Sequence, residues 1–228
     1  MAVHPIYQFY AELDDYRPSI WRRFQVTDNI TVARLGYIIQ VLFEMKASHL
    51  MAMEVPSGKM LSRYEIPCEG VESFFNSLHD VRVLDATQTP LRHAIYQAGE
   101  ILNLNYDFGD DWWVSLKLET VFEDKTLPGR ELPRVLEGAG FGIVENVGGV
   151  GGLEDFVTAF QKKKGADYMQ YSEWLGISDF DMSAFDLDDL NFRLKKIPRI
   201  YKQSYEDRLY PTQQSIDLIE RKYLHKKP

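Results

Sequence analysis

Hydrophobic and polar residues alternate over the first part of the chain. In "IYQFYAEL", every second residue from Tyr7 to Leu13 is apolar, which is typical of a strand with one buried face. The turn residues of "DDYRPS" follow, and "IWRRFQV" is predicted to be a second strand, antiparallel to the first. Farther along, "HLMAMEV" and "MLSRYEI" are predicted to form a hairpin through "PSGK".

Apolar residues recur at helical spacing in five other segments. "TVARLGYIIQVLF" predicts a helix with Thr31 as its N-cap. "LEDFVTAFQKKKG" predicts a helix with Glu154 and Asp155 in its first turn and Gly165 just past its end. "ADYMQYSEWLG" and "FDLDDLNFRLKKIP" predict two more helices, the second capped by Asp186. "PTQQSIDLIERKYL" predicts a weaker helix near the C-terminus.

A third hairpin is predicted around "LNLNYDFGDDWWVSLKLET". The five residues "DFGDD" form a common hairpin length, and Gly109 is free to take a positive φ. Since Asp side chains hydrogen-bond to the backbone of their own turn, a structural role alone accounts for Asp107, Asp110 and Asp111. On the second strand the even-numbered side chains would face the core, so we expect Trp113 to be partly exposed.

These elements predict an α+β fold, with an antiparallel β-sheet built of hairpins, helices packed on it, and a C-terminal helical extension. Residues 1–204 are predicted to form this domain, and residues 205–228 a helical tail. The length of 228 residues and the 45% hydrophobic content suit a domain of this size. The Gly- and Pro-rich segment 127–152 has no periodicity, and long ordered loops of this kind are often functional.

Charge and cysteine content restrict the classes of function. The formal net charge of -8 argues against non-specific binding to nucleic acid, although it leaves room for a small basic patch. Cys68 is the single cysteine, so an intrachain disulfide and a thiolate metal cluster are excluded. The start of the chain lacks the pattern of a secretion signal, and no apolar run approaches membrane-spanning length. We therefore expect a soluble, cytoplasmic protein that does not associate with membranes.

Residues able to bind a ligand fall into a few short motifs. The carboxylates of "DFGDD", together with Glu145 and His49, could bind a divalent cation through oxygen or share a proton in acid–base chemistry. This requires the 127–152 loop to meet the 107–111 turn, which the sequence does not show. The candidate site residues are Arg22, Arg23, His49, Tyr106, Asp107, Asp110, Asp111, Trp113 and Glu145.

The arginine pair of "WRR" has two alternative roles. Adjacent strand residues face opposite sides of a sheet, so Arg22 and Arg23 would have different surroundings. One of them is predicted to pair with a carboxylate such as Asp107 or Asp110, and the other could face a ligand or phosphate. The glycines of "ENVGGVGG" run into a helix N-terminus, but they fit no nucleotide-binding motif.

Several of these motifs together resemble the plasmid pRiA4b ORF-3-like family. They occur in the order "PSIWRRFQV", "IIQ", "HL", "YDFGDDW", "VLEG", "VENVGG" and "FDLDDLN", between about Ile6 and Arg199. The resemblance implies an α+β fold with an antiparallel sheet, and it implies no established activity. Some relatives carry the label of resolvases, and some have a DNA-binding domain fused alongside.

The sequence departs from the family pattern at positions suited to chemistry. Val114 stands where relatives commonly have His, and Val135 where they commonly have Cys. Where relatives often show "PPEDCGG", this chain has "IVENVGG". A metal or proton-transfer site marked by the family pattern would therefore be weakened here.

Three hypotheses about function follow. The one we favour is a non-enzymatic module that presents an aromatic and acidic surface, around Tyr106–Trp113 and the glycine loop, to a protein partner. The alternative is a divalent-metal-dependent hydrolase or nuclease-like enzyme using Asp107, Asp110 and Glu145. A DNA-associated accessory protein of mobile elements is the third, and it rests on family context alone.

Overall fold

A computed structural model describes residues 4–68 and 73–225 of the chain. Its centre is an eight-stranded sheet with the strand order β5-β4-β3-β6-β7-β1-β2-β8. The strands are β1 Ile6–Leu13, β2 Trp21–Thr27, β3 Met51–Ser57, β4 Met60–Glu65, β5 Val81–Asp85, β6 Ile101–Tyr106, β7 Trp112–Phe122 and β8 Arg134–Ala139.

The sheet is mixed, which corrects the expectation of a purely antiparallel one. β4 and β5 pair in parallel, whereas the other neighbouring strands pair antiparallel. A two-residue turn reverses the chain between β3 and β4, but residues 66–80 separate β4 from β5. A connection of that length can return the chain to the end where β4 began, so β5 enters the sheet in the same direction. The α+β class itself is confirmed.

Each of the five segments with helical spacing forms a helix, and a further helix at Ile197–Tyr205 was not predicted. Short 3-10 turns at Phe74–Ser77, Gly129–Glu131 and Lys222–His225 accompany the helices. Thr31 and Asp186 are the N-caps that we expected, each accepting a hydrogen bond from the backbone three residues on. The helices are α1 Val32–Leu42, α2 Leu91–Ala94, α3 Gly149–Lys162, α4 Ala166–Leu175, α5 Leu187–Leu194, α6 Ile197–Tyr205 and α7 Gln213–Ile219.

α3 differs from its prediction at both ends. It begins at Gly149 rather than near Leu153, so Glu154 and Asp155 lie beyond its first turn. Lys163, not Gly165, takes the left-handed conformation that ends the helix, and Gly165 precedes α4 instead. The sequence pattern did not indicate the start of α3, because the glycines at this position carry no hydrophobic periodicity.

One face of the sheet carries the core and the other is largely polar. Along β7, Trp112, Val114, Leu116 and Leu118 are fully buried, while the residues between them are half-buried or exposed. α1 is buried on nearly every side within the same core. Trp113 therefore lies on the polar face, half-buried as expected.

The chain end docks on this core through a network of buried charges. Arg221 and Arg193 both hydrogen-bond to the carboxylate of Glu44. Tyr223 donates to Asp189, and Arg221 Nε lies 2.8 Å from the same carboxylate. These contacts connect the segment predicted as a tail to α1 and α5. None of the described helices is both long enough and apolar enough to cross a membrane.

Candidate functional site

The turn between β6 and β7 is built by its aspartates. Asp107 Oδ1 accepts from the Gly109 backbone at 3.1 Å, and the Asp111 backbone donates to the Asp107 carbonyl at 2.6 Å. Asp107 and Asp111 take positive φ values of 54° and 55°, whereas Gly109 does not, contrary to our prediction. Asp tolerates this conformation because its short side chain satisfies nearby backbone groups.

The segment 127–152, predicted as one long loop, contains β8 and the start of α3, and the part that joins them does meet this turn. The Gly148 backbone donates to Asp110 Oδ2 at 3.1 Å. The next residue, Gly149, has a φ of 68°, and a Cβ at that position would lie 2.5 Å from the Asp110 carbonyl oxygen. Only a residue without a side chain allows so close an approach, so this pair of glycines seats the start of α3 on the hairpin.

The third aspartate of the turn holds the tryptophan on the polar face. Asp111 Oδ1 accepts from Trp113 Nε1 at 2.9 Å and from Asn105 Nδ2 at 2.8 Å. Asn105 faces Trp113 across β6 and β7 in the sheet register. The indole ring is therefore fixed in orientation before any ligand arrives.

His49 joins the turn and the loop from the other side. Its Nδ1 lies 3.4 Å from Asp107 Oδ2, and its Nε2 lies 3.5 Å from Glu145 Oε2. The same Nε2 is 3.1 Å from Asn146 Oδ1, a contact that the sequence did not predict. With an acceptor at each ring nitrogen, His49 links three segments that are distant along the chain.

Glu145 is buried beneath His49 and binds Tyr106. Glu145 Oε1 accepts from the Tyr106 hydroxyl at 2.7 Å and from the Lys46 backbone at 2.6 Å. Burial, and secondarily the charge of Glu145, raises the pKa of Tyr106 far above its ordinary value, so the phenol is a neutral donor. Glu145 Oε2 has no hydrogen-bond partner among the described residues, and the His49 ring lies beside it.

Neither arginine of "WRR" contacts Asp107 or Asp110, which corrects the predicted ion pair. Arg22 is buried and donates to five backbone carbonyls. Desolvation lowers its pKa to about 10, so it stays charged at neutral pH. Its guanidinium is enclosed by the loop that follows β8 and by the end of α1. The carbonyls belong to Trp21, Leu42, Ala139, Gly140 and Phe141.

Arg23, on the polar face, pairs with Glu119 and Glu137. The hydrogen bonds from Arg23 lower the pKa of Glu119. This arginine is thus a structural ion-pair partner, as one of our two predicted roles requires, but its carboxylates come from β7 and β8 instead of the turn.

The predicted carboxylates do not converge on one point. Asp107 and Glu145 both approach His49, whereas Asp110 is directed at the Gly148 backbone. In residues 4–68 and 73–225, no three His, Cys, Asp or Glu side chains are placed to hold a metal ion. The cluster is instead a set of pairwise contacts that bind loop to turn.

Two exposed apolar side chains border the cluster, and sequence reasoning missed both. Leu50 is 66% exposed and Phe108 is 46% exposed. Their segments are adjacent, since the Asp107 backbone donates to the Leu50 carbonyl at 2.9 Å. The Phe108 ring lies 5.1 Å from the guanidinium carbon of buried Arg63, which holds it in place. We call Leu50, Phe108 and Trp113 the sheet-end patch.

Comparison with known proteins agrees with the resemblance seen in the motifs. The family model described as plasmid pRiA4b ORF-3-like protein matches residues 5–189. The uncharacterized protein y4hQ of Sinorhizobium fredii (strain NBRC 101917 / NGR234) is 29% identical over 180 residues, covering 78% of this chain and 85% of that protein. The crystal structure of a protein of unknown function, MM3350 from Methanosarcina mazei Go1, is similar with a TM-score of 0.69 and 26% identity, covering 82% of this chain and 98% of that one.

Proposed function

The chain belongs to the plasmid pRiA4b ORF-3-like family, and from the geometry around its central hairpin we propose that it is a non-enzymatic protein-interaction module. The binding surface is the sheet-end patch. Its partner is a protein segment that carries apolar side chains next to basic ones. A cytoplasmic location is the setting that we expect for this role.

The observation that carries the proposal is the exposure of Leu50 and Phe108 on a rigid base. Exposed apolar groups that are held in place lose little entropy when a partner covers them, and such patches commonly mark interaction sites. Trp113 is fixed by Asp111, and Phe108 packs against Arg63. Aromatic side chains of this kind contribute a large share of the binding energy in interfaces.

Charge around the patch defines the partner further. Asp111 is exposed at its edge, and Asp110 and Asp107 lie half-buried beside it. Acidic side chains that border an apolar patch favour a partner with Lys or Arg at the matching positions. The same charges repel phosphate, which counts against a DNA-associated role for this surface.

The geometry supports the enzymatic alternative less well than it supports the interaction module. Asp107 and Glu145 are engaged by His49, and Asp110 accepts from Gly148. Each carboxylate therefore has a structural partner, whereas a hydrolytic site needs groups that converge on a substrate.

Selection of displayed peptides against the purified protein tests the proposal. We expect enrichment of peptides that combine aromatic or aliphatic residues with Lys or Arg, and at least about tenfold weaker binding to a Leu50→Ser/Phe108→Ser variant. Tyr96→Ser/Met169→Ser removes two equally exposed apolar side chains elsewhere and is the matched control. Selected peptides that bind the first variant as tightly as the wild type would overturn the proposal.

A thermal-shift measurement with Mg²⁺ and Mn²⁺ tests the enzymatic alternative. A ligand that binds only the folded state raises the melting temperature. A metal-specific rise that disappears in Asp110→Asn would favour the hydrolase hypothesis over the interaction module.

A further inference from the structure

A second surface, formed by the three C-terminal helices, has the opposite charge. α5, α6 and α7 enclose a groove of about 500 Å³. Lys195, Lys196 and Arg199 line it, together with the rings of Phe192 and Tyr223. All of these residues follow the range 5–189 that the family model matches, so family membership does not account for the groove.

The three cations of this groove have no acidic partner among the residues that the structure describes. No carboxylate of the described residues lies within ion-pair distance of Lys195, Lys196 or Arg199, although most other arginines of the core are paired. The single described carboxylate that lines the groove, Asp217, accepts from Gln213 at 2.9 Å and lies 3.5 Å from Lys222 Nζ. In a chain with a net charge of -8, this is a local concentration of uncompensated positive charge.

Helix dipoles explain only part of this arrangement. Lys195 and Lys196 follow the C-terminal end of α5, where cations are favourable. Arg199 lies in the first turn of α6, where a cation is unfavourable and where no acidic residue balances it. An anion in the groove would neutralise all three side chains at once.

The aromatic rings of the groove add a second kind of contact. Phe192 and Tyr223 pack edge to face with ring centroids 5.5 Å apart, and Lys196 Nζ lies 4.5 Å from the Phe192 ring centroid. Phe192 keeps 41% of its surface exposed, so a planar group can still stack against it. Gln203 and Gln214 also line the groove and supply hydrogen-bonding amides.

We propose that this groove binds a nucleotide, with Lys195, Lys196 and Arg199 on its phosphate and Phe192 against its base. Phosphate is the anion that several converging Lys and Arg side chains bind best, and base stacking on an aromatic ring tolerates any base. The volume lies within the range of small-ligand sites. The nucleotide is either free or one unit of a single strand, since both present the same phosphate and base.

Fluorescence or calorimetric titration of the full chain distinguishes these sources. The probes are inorganic phosphate, adenosine, adenosine monophosphate and a single-stranded oligonucleotide. We expect the monophosphate to bind more tightly than either phosphate or adenosine, because it makes both kinds of contact. Tighter binding of the oligonucleotide per site would identify a strand as the ligand, and equal binding would identify the free nucleotide.

Charge reversal locates the site. In Lys196→Glu/Arg199→Glu we expect the Kd for the monophosphate to rise about tenfold or more and its salt dependence to fall. Lys162→Glu/Lys164→Glu makes the same change of charge at the exposed end of α3 and is the matched control. Phe192→Leu should weaken the binding of the monophosphate and leave the binding of inorganic phosphate unchanged. All substituted side chains are exposed, and circular dichroism confirms that each variant is folded.

Three outcomes would overturn the nucleotide assignment. The first is that none of the probes binds the wild type at millimolar concentration. The second is that both charge-reversed variants lose affinity equally, which would indicate non-specific attraction. The third is that an acidic peptide binds the groove while the monophosphate does not.

Discussion

Gly149 packs directly against Asp110, so that a Cβ at the glycine would lie 2.5 Å from the Asp110 carbonyl oxygen. This contact brings the N-terminal end of α3 onto the central hairpin. It joins two segments that are almost forty residues apart, and both carry side chains of the candidate site.

Gly149→Ala should therefore destabilise the fold. The backbone has a φ of 68° there, and the added methyl group would meet a carbonyl, so we expect a loss of about 2–4 kcal/mol. Thermal and urea unfolding measure the change. Gly151→Ala is the control, because a Cβ at Gly151 meets nothing within 4 Å and should stabilise the helix by up to about 1 kcal/mol. Equal stability of the two variants would contradict the close contact.

Arg22 and Arg23 are neighbours with different sensitivity to substitution. Arg22→Lys leaves several of five buried carbonyls without a donor, so we expect a loss of about 2–4 kcal/mol. Arg23→Lys alters a partly exposed ion pair and should cost less than about 1 kcal/mol. Urea unfolding of both variants measures the difference. If Arg23→Lys were the more damaging, the assignment of the two faces would be wrong.

The pKa of Glu119 reports the Arg23 contact directly. Arg23 lowers this pKa below its ordinary value of 4.5. We expect NMR titration to give a value under 4.5 in the wild type and a return toward it in Arg23→Gln. A carboxyl with a depressed pKa in the folded state contributes stability above the unfolded value.

That contribution is lost as the pH falls from about 4.5 through the lower, folded pKa. It should amount to less than about 1 kcal/mol, because both side chains are partly solvated. Thermal unfolding between acid and neutral pH, compared with Glu119→Gln, measures it. An unchanged pH dependence in Glu119→Gln would show that the contact does not contribute.

Arg221 fixes the C-terminal segment to the core. Arg221→Ala removes a charge-assisted hydrogen bond to Glu44 and the contact with Asp189, so we expect a loss of about 1.5–3 kcal/mol. Hydrogen exchange should also accelerate across α7. Lys222→Ala removes a neighbouring exposed cation and should change neither the stability nor the hydrogen exchange of α7. Unchanged exchange in Arg221→Ala would mean that apolar packing alone holds the segment.

Several features of the site followed from the residues. The turn at 107–111, the outward orientation of Trp113 and the opposite environments of Arg22 and Arg23 depend on local backbone geometry and on the two-residue period of a strand. Other features did not follow. Nothing local indicates that Glu145 would lie 3.5 Å from His49, because the two loops that carry them are distant in sequence and are brought together only by tertiary packing.

What the sequence by itself determined is the set of local elements: alternating strands, amphipathic helices with Thr31 and Asp186 as caps, and hairpins of short length. These depend on interactions between residues a few positions apart. The parallel entry of β5, the five carbonyls around Arg22 and the meeting of Gly149 with Asp110 were decided only by tertiary structure. Each joins segments far apart in the chain, and the hydrophobic pattern is the same for either direction or partner.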